Sequence, residues 1–476
     1  MKIAVIGTGM AGYGAYLAMK NAGSGFDTTF FNAGKSIPKL ELEYSILPGT
    51  SFPEKKEFGA RFSSIPVANS QKTIRTSNTT GGLSDFWSCS SFPFPNYDLG
   101  SRSLQELKAA YKTLSYTLRM AGTKDDPLTA IFHNPFAYKY TIPTPAHFEQ
   151  LNFLSKENLK SDFKFTVGDN RILLSSNETT KCTACGNCFK GCSEGFLMRP
   201  STEIVGANVV NIRVHKIERI KTHWNIYNED NELCGSYDNI FLGLGVYETI
   251  CLLVRSNLIE SSDISLYDSN AIFFPVYFQK HKSESPKGSF GFANKVIAVQ
   301  DLRSEDIKGH LLITPFNHFF SYSLFGKLLG KILSGLLFNR VALATYYSNA
   351  RLSNEYYIDN FGRVSIKTDN TSNSKRLLAK MISDVNSRKL GFKFLNVTKT
   401  FDSSSHYSSN LLVTKSSIYE TSKLANNLFI IDGNLFPGPP PASPGSLNIL
   451  AGAYVVVTNF VERVNAGSPF ENQSSI

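Results

Sequence analysis

The first dozen residues constrain the fold more than any other part of the chain. Residues 2–6 form a short apolar run of the strand type, three glycines follow in the order G-x-G-x-x-G, and YGAYLAMKNAG then has the composition of a helix. In this context small residues let the backbone approach a pyrophosphate, and the helix N-terminus supplies N–H groups and a positive dipole. The sequence predicts a dinucleotide site, with a merely tight glycine turn as the alternative. The residues that the motif assigns to the cofactor are Gly7, Gly9, Met10, Ala11 and Gly12.

The second predicted strand, TTFFNAG, ends in an amide where such folds usually carry an acid that binds the ribose hydroxyls. The residue is Asn32, whose side chain can both donate and accept a hydrogen bond. Asn32 is therefore the candidate ribose contact, and we expect it to bind ribose more weakly than an acid.

The size and composition indicate a globular protein with two cores. At 476 residues, two domains are the default expectation. Hydrophobic residues make up 42%, aromatic residues 12% and charged residues 18%, which excludes a disordered chain. The net charge of +10 is moderate and its Lys and Arg residues are scattered, so we expect no nucleic-acid partner, whereas an anionic substrate or a membrane surface stays open.

The N-terminus enters a predicted strand at once, without the charged and apolar regions of a signal peptide. No stretch reaches the run of about eighteen apolar residues that a spanning helix needs. We therefore expect a cytoplasmic protein. In a reducing compartment, clustered cysteines hold metal more often than they form disulfides.

Three further stretches resemble the glucose-methanol-choline oxidoreductases in their order and rough spacing. They are TTGGLSDFWSCSSFPF at 79–94, NIFLGLGVYETICLLVRS at 239–256 and NLFIIDGNLFPGPPPASPGSLNILAGA at 427–453. The first stretch is most similar to the pyranose oxidase branch. The resemblance implies FAD in an extended pose and the oxidation of an alcohol or sugar at the flavin. Because Phe86 stands where some relatives carry a histidine bonded to FAD, the flavin should be non-covalent.

The resemblance also implies the fold class, which is α/β (α+β overall). An FAD-binding Rossmann-like domain of the glutathione-reductase type is expected to interleave with a substrate domain built on an antiparallel sheet. We expect the FAD-binding domain at 1–95, 165–255 and 425–476. The substrate domain then takes 96–164 and 256–424.

Further cofactor contacts follow from the resemblance alone. Gly82 and Ser84 belong to the glycine-rich segment near the flavin ring, with Trp87 and Ser88 close to the flavin N5 edge. Paired strands at 208–220 would meet adenine near Ile217, although these strands could simply be core. The remaining residues assigned to the cofactor are Gly245, Asp432, Gly433 and Asn448, the last on the pyrimidine side of the flavin.

Oxidation of a C–OH group at a flavin sends a hydride to N5 and a proton to a base, for which histidine is best suited. Of eight histidines, His406 lies ahead of the C-terminal stretch, where the family places its catalytic histidine, although the following YSSN departs from the family pattern. The second catalytic position, an Asn or His before a proline, is Ser443 here. A serine can hold a substrate hydroxyl but cannot become cationic, so a less efficient reaction is expected.

Four of the seven cysteines lie in KCTACGNCFKGCSEG at 181–195, with the spacing C-x2-C-x2-C-x3-C. This is the spacing of a bacterial ferredoxin half-motif, but a serine rather than a proline follows the last cysteine. An iron-sulfur cluster, a zinc ion held by thiolates and a metal-free turn are three hypotheses for this segment. With an iron-sulfur cluster, electrons would leave to an acceptor protein, which favours a dehydrogenase over an oxidase. The predicted metal ligands are Cys182, Cys185, Cys188 and Cys192.

The stretch SLFGKLLGKILSGLLFNR at 323–340 has one broad apolar face at helical spacing. One interpretation is a core helix of the substrate domain, and the other is an interfacial helix that reaches a lipid-linked substrate at a membrane surface. The first functional hypothesis is thus an FAD-dependent oxidoreductase with His406 as its base. The alternatives are an iron-sulfur flavoprotein for electron transfer or redox sensing, and a degenerate flavin-fold protein that only binds a partner or a lipid.

Overall fold

The computed structural model of the chain describes most of its length. The residues outside the description are 24, 35–62, 87–88, 95–100, 133–134, 137, 139, 157–160, 185–187, 189–191, 193, 262–263, 280–289, 305, 316–339, 403–405, 440–444 and 468–476. Trp87, Ser88, Cys185 and Ser443 are therefore outside it, as is nearly all of the apolar stretch at 323–340.

The described strands, numbered in chain order, are β1 (Lys2–Ile6), β2 (Asp27–Asn32), β3 (Ser63–Ala68), β4 (Thr73–Thr76), β5 (Arg119–Ala121), β6 (Phe163–Asp169), β7 (Ile172–Leu174), β8 (Asn208–Asn211), β9 (Val214–Ile220), β10 (His223–Asn228), β11 (Leu233–Tyr237), β12 (Asn239–Leu242), β13 (Ser265–Asp268), β14 (Ala271–Phe278), β15 (Lys295–Asp301), β16 (Ile307–Pro315), β17 (Val341–Ser348), β18 (Asn354–Ile358), β19 (Val364–Thr368), β20 (Phe392–Phe394), β21 (Lys399–Thr400), β22 (Tyr407–Ser409), β23 (Lys423–Ala425) and β24 (Leu428–Ile430).

The described α-helices are α1 (Met10–Asn21), α2 (Ser101–Leu114), α3 (Pro200–Glu203), α4 (Val246–Arg255), α5 (Thr371–Ser387), α6 (Ile418–Ser422) and α7 (Ser446–Asn465). Short 3₁₀ turns cover Gly82–Phe86, Pro127–Ala130, Ala146–Ser155, Ala350–Leu352 and Gly433–Leu435.

A mostly parallel sheet joins both ends of the chain to its middle. Its strand order is β23-β24-β12-β1-β2-β8, and every neighbouring pair except β23 with β24 is parallel. Parallel strands that are covered on both faces consist of nearly continuous apolar residues, as AVI in β1 and IFL in β12 do.

The two faces of this sheet pack against different layers. On one face Ile3, Val5 and Phe241 join a cluster with α1 and α7. On the other face the alternate residues, among them Ala4 and Ile240, pack against the antiparallel strands β9, β10 and β11. Successive strand residues point to opposite faces, so alternate residues of one short apolar strand pack against the two different layers.

Helix α1 approaches α7 closely at Gly14, where a Cβ atom would lie only 2.3 Å from the carbonyl oxygen of Leu450. By length and composition α7 is the one helix of the described residues that could cross a membrane, and 67% of its most apolar window is buried inside the protein. Burial of this kind is also found in the core helix of a soluble protein, so the membrane signal is weak.

The second half of the architecture is mostly antiparallel, and its one parallel pair among the described strands is β19 with β3. A seven-stranded sheet has the order β20-β14-β17-β16-β15-β6, with β21 also on β14, and one face packs against α5 and the 3₁₀ turn at Ala146–Ser155. A further sheet, β22-β13-β18-β19-β3-β4, connects this region to the rest of the chain. Strands β3 and β4, at 63–76, and β6 thus pair with strands of the antiparallel half, and the exact domain boundaries stay a prediction.

Candidate cofactor and active site

The N-terminus of α1 is built to leave its first-turn N–H groups available. Gly7 has φ +111°, and a Cβ atom there would lie 2.2 Å from the Gly243 carbonyl oxygen, so only glycine lets β1 and β12 meet at this turn. Gly9 occupies the N-cap, no described side chain caps the helix, and its first turn carries no acid. Met10 and Ala11, each only 3% exposed, begin the helix. The uncapped N–H groups and the helix dipole suit an anionic group.

The glycine-rich segment of the first resembling stretch lies against this helix end. The Gly81 N–H donates to Thr8 Oγ1 at 3.3 Å, and the Cβ position of Gly9 is 3.5 Å from the Gly81 carbonyl oxygen and 3.7 Å from Ser84 Oγ. Gly82, with φ +59°, closes the turn through its N–H bond to Thr79. The structure thus brings Gly81 and Ser84 next to the start of α1, and the predicted contact of Gly82 and Ser84 with the flavin ring stays a prediction.

A cleft lies beside the carboxyl ends of β1 and β2. Apolar and polar side chains both line it, and ligands of α/β sheets bind at this edge. The lining residues are Ile6, Phe31, Ala33, Ser77, Asn78, Ile212, Arg213, Val214, Leu244, Glu248 and Arg255.

Asn32 ends β2 next to this cleft and makes several protein contacts. Its Nδ2 lies 2.6 Å from Thr80 Oγ1, 3.0 Å from Asn211 Oδ1 and 2.9 Å from the Gly34 carbonyl oxygen, and its Oδ1 accepts the Gly34 N–H. The side chain is 3% exposed. In this structure Asn32 ties three segments together while the next residue, Ala33, lines the cleft, and its ribose contact stays a prediction.

The predicted adenine contact, Ile217, lies three residues along β9 from the residue that lines the cleft. Ile217 is fully buried, and its N–H donates to Ser256 Oγ at 3.0 Å. The β9 residue that lines the cleft is Val214, at the beginning of the strand. Val214 and Ile217 are three residues apart, so a regular strand would point them to opposite faces. The pairing of β9 with β10 shifts register between these two residues, and both side chains join the same apolar cluster.

Asp432 links three segments at the end of β24. Its Oδ2 accepts the Gly245 N–H at 3.1 Å and the Thr249 hydroxyl, and its Oδ1 accepts the Asn434 N–H at 3.0 Å and Asn434 Nδ2 at 2.8 Å. Gly245, with φ +89°, is the N-cap of α4, so Asp432 caps that helix from a distant strand. Burial raises the pKa of the Asp432 carboxyl, and the four donated bonds oppose that rise.

The strand that follows His406 contacts the segment that follows Asp432. A Cβ atom on Gly433 would lie 2.9 Å from the Tyr407 carbonyl oxygen, and the Ser409 hydroxyl donates to Asn434 Oδ1. The Gly438 N–H donates to the Ser409 carbonyl at 2.9 Å. The predicted base and the predicted cofactor residues Asp432 and Gly433 are thus neighbours in space.

His406 is half-buried and its ring stacks on Tyr347, with the ring centres 4.8 Å apart and the planes at 27°. The Tyr347 ring also stacks on His310, with the ring centres 5.0 Å apart and the planes at 12°. Burial lowers the pKa of His406 from its ordinary value to about 4, because a desolvated imidazole resists protonation. At neutral pH the side chain is therefore a neutral imidazole, the form that a base requires.

Asn448 is fully buried near the start of α7 and holds the segment at 92–94. Its Oδ1 accepts the Phe94 N–H at 2.9 Å and the Tyr111 hydroxyl, and its Nδ2 donates to the Phe92 carbonyl at 3.0 Å. This segment ends the first resembling stretch, so Asn448 positions it, and the predicted flavin contact is untested. The sequence did not predict the contact between Tyr111 and Asn448, because nothing in α2 indicates which of its residues packs against α7.

The described cysteines of the 181–195 segment lie in one apolar cluster with Cys89. Cys182, Cys188 and Cys192 each accept a backbone N–H bond on sulfur. The donors are Ala184, Gly291 and Phe196, with N···S distances of 3.4, 3.2 and 3.3 Å, respectively. In the part of the chain that the structure describes, no three His, Cys, Asp or Glu side chains are grouped as a metal site requires. With Cys185 outside that part, the metal prediction is untested.

Sequence comparisons give no relatives for this chain. No protein-family model matches it, and no curated protein matches it either.

Solved structures do match over nearly the whole chain. Pyridoxine 4-oxidase from Mesorbium loti has a TM-score of 0.62 at 12% identity, covering 97% of this chain and 99% of its own. An FAD-dependent oxidoreductase from Chaetomium thermophilum has a TM-score of 0.60 at 11% identity, covering 98% and 99%. A formate oxidase from Aspergillus oryzae RIB40 has a TM-score of 0.58 at 12% identity, covering 98% of each chain. The chain thus has the fold of the glucose-methanol-choline oxidoreductases, and the predicted fold class is confirmed.

Proposed function

We propose that this protein is an FAD-dependent oxidoreductase that oxidises a CH–OH group of a small alcohol or sugar, with His406 as the base. One observation carries the proposal. The strand that begins after His406 packs directly on Gly433, and Asp432 beside it caps α4 next to the uncapped N-terminus of α1. These contacts link the strand beside His406 to the helix end that would bind the diphosphate, which supports the proposal that both serve one site.

The described residues fit FAD. The N–H groups at the start of α1 would hold the diphosphate, with the Gly82 and Ser84 segment beside them. The cleft lined by Val214 and Ala33 would take the adenosine. When bound, the flavin supplies an acceptor for the hydride that leaves the substrate carbon.

His406 takes the proton. A ring nitrogen of the neutral imidazole accepts the hydroxyl proton of the substrate, and the low pKa keeps that nitrogen unprotonated in the resting protein. Ser443 would hold the same hydroxyl through a hydrogen bond, but it offers no positive charge to a developing alkoxide. We expect slower turnover than a histidine or asparagine at that position would give.

The iron-sulfur flavoprotein is a second candidate. The observation that favours it is the N–H bond to sulfur that each of Cys182, Cys188 and Cys192 accepts, because such bonds tune the sulfurs of iron-sulfur clusters. A cluster would send electrons on to an acceptor protein and would make the enzyme a dehydrogenase rather than an oxidase.

An ultraviolet-visible spectrum of protein purified without air tests both candidates. We expect flavin bands that bleach when a panel of alcohols and sugars is added anaerobically, and flavin that is released by heat denaturation. The His406→Asn variant should keep its flavin but bleach at least about a hundredfold more slowly, because a general base contributes about that much or more. A colourless protein, or a variant that bleaches as fast as the parent, contradicts the proposal.

A further inference from the structure

A column of three rings connects the proposed base to the seven-stranded sheet. His406 stacks on one face of Tyr347, and His310 stacks on Tyr347 in turn. His310 and Tyr347 are direct cross-strand partners on β16 and β17. The imidazole of His406 therefore rests on a ring that the sheet itself carries.

Tyr347 is held firmly enough to act as a platform. Its strand lies between β14 and β16, where Ala271 and His310 are its register partners on the two sides. The ring also packs against an apolar cluster that includes Phe92 and Phe132. Burial raises the pKa of the Tyr347 hydroxyl to about 12, so the ring stays neutral at working pH. A central strand and a packed ring have little freedom to move.

The charged groups around this column lie on the neighbouring strands. Arg75 on β4 donates its backbone N–H to the Tyr407 hydroxyl at 2.8 Å, and its guanidinium pairs with Asp402 at 2.6 Å. Asp268, on β13, is the register partner of Tyr407. Asp268 raises the pKa of the Tyr347 hydroxyl and Arg75 lowers it, both less strongly than burial raises it. The aromatic face of Tyr347 is the surface that the His406 ring contacts directly.

We infer that Tyr347 is a positioning residue for His406. The Tyr347 ring fixes the plane of the imidazole and stabilises the imidazolium that forms when His406 takes the substrate proton. The inference rests on the proposed function for its catalytic part. A stacked ring restricts rotation of the imidazole, and correct orientation of a base is a large part of its effect. The negative face of an aromatic ring also attracts a cation, which an aliphatic side chain cannot do.

The test compares Tyr347→Phe, which keeps the ring, with Tyr347→Leu, which removes it. The matched control is Tyr346→Leu, on the opposite face of the same strand, where the tyrosine hydroxyl donates to the Lys308 carbonyl. Histidine ring labels observed by NMR report on His406, whose signal is assigned with a His406→Gln variant. We expect the ring-current shift of His406 to persist in the Phe variant and in the control, and to disappear in the Leu variant.

The kinetic experiment measures kcat and KM with the alcohol that bleaches the flavin of the parent protein fastest. Tyr347→Leu should lower kcat about tenfold with KM nearly unchanged, because a stacked aromatic pair is worth about a factor of ten. Tyr347→Phe should stay close to the parent. If the Leu variant fails to fold by circular dichroism, Tyr347→Met fills the volume without a ring and takes its place.

The outcomes separate the two proposals. An unshifted His406 signal in a folded Leu or Met variant overturns the positioning role, as does a kcat equal to that of the parent. If the parent oxidises no alcohol or sugar, the proposed function fails together with the catalytic part of the inference. The NMR comparison then still decides whether Tyr347 holds His406, because it needs no substrate.

Discussion

Replacing Asp432 with asparagine tests the junction between β24 and α4. The substitution keeps the shape of the side chain but turns one acceptor oxygen into an NH₂ donor. The carboxylate receives four hydrogen bonds, of which those from the Gly245 N–H and the Asn434 N–H come from the backbone. In the better orientation the amide oxygen faces Asn434, and the new NH₂ group faces the Gly245 N–H.

The expected cost follows from that arrangement. The N–H of the exposed Gly245 loses this acceptor and can turn to water, but the bonds from Thr249 and Asn434 lose a charged acceptor, and hydrogen bonds to charged groups are worth about 1.5–3 kcal/mol. The amide avoids the burial of a charge, which offsets part of the loss. We expect Asp432→Asn to lower the free energy of unfolding by about 2 kcal/mol at pH 7.

Urea unfolding of the parent, Asp432→Asn and the exposed control Asp125→Asn measures the effect. Because burial raises the pKa of Asp432 in the folded state, the native carboxyl takes up a proton earlier than the unfolded one as the pH falls. That uptake stabilises the folded parent and has no counterpart in the amide variant, so the difference between their free energies of unfolding should widen as the pH falls toward the pKa of the unfolded carboxyl. A variant as stable as the control at pH 7 refutes the idea that these donors need a carboxylate.

Three further predictions concern other parts of the molecule. First, kcat/KM should stay level from neutral pH down through about pH 5 and fall as His406 protonates near pH 4; a fall centred at the ordinary histidine pKa contradicts the assigned burial. Second, Gly14→Ala should lower the free energy of unfolding by about 1–3 kcal/mol despite the higher helix propensity of alanine, because its Cβ atom would lie 2.3 Å from a carbonyl oxygen of α7. Gly25→Ala has open space around it and is the control, and equal stability of the two variants would contradict the close packing. Third, iron, zinc and acid-labile sulfide should be measured before and after Cys188→Ser, and a protein without any of the three rejects the metal hypotheses for 181–195.

The parts of the fold that local chemistry determines could be predicted from the sequence. The glycine motif needs only the strand before it and the helix after it, so the dinucleotide turn followed from residues 2–23. The architecture needed the resemblance, because the strands of the parallel sheet come from three separate regions. The comparison of folds agrees with that prediction.

The details of the site depended on partners that are distant in sequence. Nothing near Asp432 indicates that it caps α4, and nothing near His406 indicates that Tyr347 supports its ring. The residues near the predicted adenine site show the same limit, because an irregularity in the pairing of β9 with β10 brings Val214 and Ile217 into one apolar cluster, and of these two Val214 lines the cleft. The predicted ribose contact shows the same limit, since Asn32 bonds to Asn211 and Thr80, which belong to segments distant in sequence.

The parallel sheet has a consequence for how the protein is made. Of the neighbours of β1, β2 follows at residue 27 but β12 begins only at residue 239, and β24, which pairs with β12, begins at residue 428. The partner helix of α1 is α7, which ends at residue 465. During synthesis the apolar residues of β1 and α1 therefore stay partly uncovered until α7 has been made. Removal of α7 would thus uncover the apolar residues of α1 and β1 as well, and we expect chaperones to bind these residues during synthesis.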